Sequence, residues 1–109
     1  MYDRRSVEGH PHISADVLAR YAADAAREVE GVSGLVEGAL HRGGGVEVSN
    51  GDGTPVIRVH FELAWGHEAE KVGTEVQRRV AEYLARMADV KAAKVDAVVA
   101  EVGSPPPAR

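Results

Sequence analysis

Apolar positions along the chain follow two rhythms, and each predicts a different element. Between residues 13 and 32 they fall at Val17, Leu18, Tyr21, Ala22, Ala25, Val29 and Val32, the three-and-four spacing that lines one face of a helix. Arg20, Asp24, Arg27, Glu28 and Glu30 take the other sides, so residues 14–30 are expected to form an amphipathic helix. Ser14 can cap its start, Asp16 complements the dipole in the first turn, Ile13 can staple onto Leu18, and Gly31 offers a stop. A second stripe, Ala69, Val72, Val76, Val80, Tyr83, Leu84 and Met87, predicts a helix over residues 67–88 with Glu68 and Glu70 at its start.

The other rhythm is alternation. Ile57, Val59, Phe61, Leu63 and Trp65 alternate with Arg58, His60, Glu62 and Ala64, which predicts a strand over residues 56–65 with one apolar and one largely polar face. Val46-Glu47-Val48-Ser49 alternates likewise after Gly43-Gly44-Gly45, and the turn-prone run Asn50-Gly51-Asp52-Gly53-Thr54-Pro55 separates the two, so an antiparallel hairpin is expected. Residues 94–102 predict a closing strand, with Val95, Ala97 and Val99 on one face and Val98, Ala100 and Val102 on the other. Apolar residues on both faces imply a strand that is interior or covered. His10-Pro11-His12-Ile13 suits only an edge strand or a lead-in, because Pro11 has no amide donor. Residues 32–42, interrupted by Gly34 and Gly38, are expected as loop or short helix.

The resulting order is (β)-α-β-β-α-β. It describes an α+β fold in which two amphipathic helices pack on one face of a small mixed or antiparallel sheet of three to four strands. At 109 residues the chain has room for one such core and no second domain. Residues 1–8 are polar and expected to be flexible, residues 9–102 hold the domain, and Gly103-Ser-Pro-Pro-Pro-Ala-Arg109 reads as a disordered Pro-rich tail. A hydrophobic fraction of 44% and a charged fraction of 28% belong to an ordinary globule. The net charge of -4 argues against holding nucleic acid by bulk electrostatics. Cysteine is absent, and no apolar run approaches the ~20 residues of a membrane span, so a cytoplasmic location is expected.

Candidate chemistry is sparse. His10 and His12 with His60 or His67 could be metal ligands, but no carboxylate stands at a recognised spacing from them, so solvated histidines and no bound metal are expected. Arg42-Gly43-Gly44-Gly45 precedes a strand, whereas phosphate loops follow a strand and open a helix. No Ser, His and acidic residue, nor Asp52 with Glu62, shows a spacing that argues for mutual activation, so neither catalysis nor a cofactor or small-molecule substrate is expected. Gly31-Val32-Ser33-Gly34 is a GxxG of the kind with which KH domains clamp a single-stranded backbone, yet it carries no positive charge and lies near Glu28, Glu30 and Glu37. A KH-like nucleic-acid module is therefore the alternative reading. Trp65 is either a core or sheet-end anchor or an interface anchor. Arg58, His60 and Glu62, with Trp65 and an extension through Lys94 and Asp96, form the candidate interaction surface.

Several landmarks in order carry a resemblance: Gly9, His12-Ile13-Ser14, Val17, Ala22, Ala26, Glu28-Val29-Glu30-Gly31-Val32, Gly45-Val46-Glu47-Val48, Trp65-Gly66, Met87, Val95, Asp96, Val99 and Val102. Together they resemble the alkaline shock protein family, envelope stress response proteins of Gram-positive bacteria, over residues 9–102. Pro11, Asp89 and Asp96 depart from it, standing where an apolar strand residue, a glycine and an asparagine are usual. The resemblance implies a non-enzymatic protein of cell-envelope stress response or homeostasis. Such a protein would self-associate as a homo-oligomer or dock to a small membrane-anchored partner, remaining cytoplasmic or peripheral to the membrane through that partner.

Overall fold

A computed structural model describes residues 14–37, 44–51, 54–90 and 94–107. The elements run α1 (Ala15–Arg27), β1 (Val32–Leu35), β2 (Val46–Gly51), β3 (Thr54–Leu63), α2 (Ala69–Ala88) and β4 (Lys94–Val102). The fold is α+β, as the two rhythms predict.

The sheet is built around β3. Its even residues bond towards β1 and β2: the His60 amide donates to the Gly45 carbonyl at 2.8 Å, and the Val36 amide donates to the His60 carbonyl at 2.9 Å. β2 pairs antiparallel with the first part of β3 (Val46↔Val59, Gly51↔Thr54), and β1 pairs antiparallel with its end (Leu35↔Phe61, Val32↔Leu63). The two short strands thus lie end to end along one edge. β4 takes the other edge and runs parallel, from Val56↔Lys94 to Leu63↔Val102, with α2 as the crossover that a parallel pair requires. The sheet is therefore mixed and four-stranded.

Two expectations change and a third is narrowed. Residues 32–35 are a strand, not loop or short helix, because β3 offers them an edge and Gly31, at φ +103°, turns the chain onto it. Of the two options for β4, interior or covered, the second holds: among the described residues it pairs with β3 alone, and its Val95, Ala97 and Val99 face packs against the core under α2. The first helix stops at Arg27, where single-turn bonds take over (Val29 amide to Ala26 carbonyl and Val32 amide to Val29 carbonyl, both 3.1 Å). The observed order is α-β-β-β-α-β. The strand or lead-in expected at His10–Ile13, the flexibility expected of residues 1–8, and Asp52 and Gly53 of the expected turn all fall outside the described residues.

Both helices pack on the face of β3 that carries Ile57, Val59, Phe61 and Leu63, each at most 6% exposed. Leu18, Ala22, Ala25 and Ala26 of α1 and Val72, Val76, Val80 and Leu84 of α2 complete this core. Burying one such Leu or Phe is worth roughly 1.5–3 kcal/mol. Ser14 caps α1 by accepting from the Val17 amide at 3.2 Å, as its position predicts. Tyr21 meets Tyr83 edge-on at 5.8 Å, and the Gln77 side-chain amide donates to the Val95 carbonyl at 3.0 Å, tying α2 to β4. Among the described residues no helix is long and apolar enough to cross a membrane.

Candidate interaction surface

Alternation along β3 decides what the other face of the sheet carries. With Ile57, Val59 and Phe61 turned to the helices, Arg58, His60 and Glu62 project from the opposite side, where no described helix packs. Register then chooses their neighbours. Arg58 is flanked by Glu47 on β2 and Asp96 on β4, and its guanidinium lies 3.6 Å from Glu47 Oε1 and 3.7 Å from Asp96 Oδ2. His60 Nε2 lies 3.7 Å from the same Glu47 oxygen. A charge cluster thus spans three strands. With Arg58 about half exposed, each pair contributes only ~0–1 kcal/mol to stability, so the cluster shapes a surface more than it holds the fold.

Glu62 is surrounded differently. Its register partner on β4 is Glu101, because the ladder slips by one residue between Phe61 and Glu62 and leaves Ala100 as the extra residue. Among the described residues no basic side chain pairs with either glutamate. The Glu62 carbonyl accepts from the Ser33 hydroxyl at 3.2 Å. Trp65 follows on a tight turn, closed by the His67 amide donating to the Ala64 carbonyl at 3.2 Å and opened by Gly66 at φ +91°. It is 56% exposed. At that exposure Trp65 is not a core anchor, and the sheet-end and interface readings both stand.

Arg58, His60 and Glu62 thus share one face, and Trp65 stands exposed on the turn that follows β3. Asp96 joins them through Arg58, and Lys94, beside Val56 in register, extends the face at the far end. The sequence alone does not single out Glu47 or Glu101. The alternation of residues 46–49 marks Glu47 as outward-facing, but only the register places it beside Arg58.

The GxxG does not form a loop between helices. Gly31 is the turn, and Val32, Ser33 and Gly34 lie in β1 with Ser33 bonded to β3. Gly44 and Gly45, at φ +69° and +95°, lead directly into β2. Arg42, Gly43, His10 and His12 lie outside the described residues, as does Asp52. Among the described residues no group of three or more His, Cys, Asp or Glu is arranged to hold a metal ion. A separate ion pair lies on α2. Arg78 donates to both oxygens of Glu75, at 2.6 and 3.1 Å, and this holds the Glu75 carboxyl below its ordinary value of 4.5 and raises Arg78.

Comparison with known proteins gives a family and a fold. The model of the alkaline shock protein family, described as having a cell envelope-related function, matches residues 3–104. No curated protein matches the chain. Among solved structures, a histidine-to-alanine variant of MamM-CTD is similar with a TM-score of 0.52 at 14% identity, covering 85% of this chain and 100% of that one. A double variant of MamM CTD, with a histidine and a glutamate replaced by alanine, has a TM-score of 0.53 at 12% identity, covering 82% and 96%. At such identities the likeness is one of fold alone.

Proposed function

The chain belongs to the alkaline shock protein family, of cell envelope-related function, and from that premise we propose that it is a non-enzymatic envelope-homeostasis protein acting through self-association or by docking to a membrane-anchored partner. It works from the cytoplasm, and any peripheral contact with the membrane is made through that partner. The observation that carries this reading is the sheet face on which no described helix packs, where charged side chains from three strands lie together, with Trp65 exposed on the turn after β3. Interfaces are built this way, from an aromatic anchor with polar groups that fix orientation around it.

The test is the double variant Arg58→Gln with His60→Gln. It removes the guanidinium and the imidazole without setting a third carboxylate beside Glu47 and Asp96. Sedimentation and cross-linked capture from the source cells, in nuclease-treated and untreated halves, should show weaker association at an unchanged melting temperature. Unchanged sedimentation together with unchanged capture would remove this face from consideration. Recovery of RNA, with protein partners lost after nuclease treatment, would replace the reading with a nucleic-acid one.

A further inference from the structure

We propose that the end of the sheet bearing Glu62 and Glu101, with Trp65 on the adjoining turn, is the docking surface for a basic segment of a partner protein, whose lysine or arginine meets the two carboxylates beside Trp65. This rests on the docking role proposed above and supplies the chemistry of the partner. Trp65 is 56% exposed and stands on the turn where β3 ends, beside the end of β4. The Glu62 carboxylate reaches the same end of the sheet: a methyl group on Gly103 would lie 3.6 Å from both Glu62 Oε2 and the Trp65 backbone nitrogen.

Charge selects the occupant. Arg58 has Glu47 and Asp96 on either side, whereas Glu62 and Glu101 stand in direct register with no basic partner among the described residues. Like charges opposite one another on neighbouring strands oppose folding, and an incoming cation reverses the sign of that interaction. An exposed indole adds the attraction of its ring face for a cation. Nearby, Glu68 and Glu70 stand at the start of α2, and Lys71 is engaged with Glu68 at 3.8 Å. The same field repels an anionic lipid surface or a nucleic-acid backbone, which leaves a cationic polypeptide as the fitting partner.

The experiment immobilises the full chain, exposes it to a pool of random 12-residue peptides and sequences the bound fraction. Recovered peptides are then titrated against the emission of Trp65, the single tryptophan. The bound fraction should be enriched in Lys and Arg next to an apolar residue, shift the Trp65 emission, and bind at least ten-fold more weakly to the Glu62→Gln, Glu101→Gln double variant. That variant should also melt at a higher temperature than the parent, which separates lost binding from lost fold. A bound fraction no more basic than the input pool, or basic peptides held equally by the double variant, overturns the proposal. Partner capture that survives this variant but fails in the Arg58, His60 variant overturns it too, while leaving the docking role in place.

Discussion

Asp89 closes α2 in the left-handed conformation, at φ 57° and ψ 31°, and among the described residues no other non-glycine has a positive φ. Two costs meet there. The Cβ of an L-residue in this region costs ~1 kcal/mol, somewhat less for Asp and Asn, and a carboxylate at the negative end of a helix costs a further ~0.3–1 kcal/mol. Glycine removes both and gives back ~0.4–1 kcal/mol through the greater freedom of the unfolded chain. The net expectation for Asp89→Gly is a gain of about 0.5–1 kcal/mol, which raises the melting temperature of a domain this size by ~2–8 °C. Asp89→Asn removes the charge but keeps the Cβ and should recover only a few tenths of a kcal/mol. Asp89→Ala removes the charge but lacks the local hydrogen bonding that eases this conformation, and should gain nothing. Thermal melts at low ionic strength should rank the three Gly, Asn, Ala. The helix end cannot shift to evade the strain, because the amides of Asp89 and Val90 both bond to the carbonyl of Leu84, whose residue is fully buried. Alanine melting at or above glycine would refute the left-handed cap and the account of the helix end built on it.

Two further outcomes follow from the same geometry. Gly31→Ala would place its Cβ 2.5 Å from Val72 Cγ2 and 3.1 Å from His67 Nδ1 at φ +103°, and should cost about 2–4 kcal/mol in urea denaturation. Gly34→Ala, whose Cβ meets nothing within 4 Å, should leave the midpoint nearly unchanged, and equal midpoints for the two would contradict the packing of the turn against α2. Because Arg78 holds the Glu75 carboxyl below 4.5 in the folded chain, their pairing is complete above that pH and is lost as pH falls through the lowered value. Glu75→Gln should therefore lower the melting temperature slightly at neutrality and flatten its acid limb, so that parent and variant converge well below pH 4.5, and an equal gap at every pH would show that the pair is not formed in solution.

What the sequence reveals and what it hides divide along local and non-local forces. Both helical stripes and the 94–102 strand are readable because residues a few positions apart decide them. β1 is not, because four residues with Gly34 among them have no rhythm of their own. They become a strand only through bonds to β3 and its continuation, such as the Ala64 amide to the Gly31 carbonyl at 2.8 Å. The candidate surface divides in the same way. Arg58, His60 and Glu62 are legible from alternation, but their neighbours come from register, which a count along one strand does not contain. Counting by twos from Asp96 through Val98 puts Ala100 beside Glu62 and leaves Glu62 with an apolar neighbour there. The slip after Phe61 puts Glu101 there instead. One inserted residue thus converts an ordinary strand end into two adjoining carboxylates beside an exposed Trp65. A bulge that adds a like-charge contact weakens the free fold, so the arrangement is better explained by what it meets than by what it stabilises.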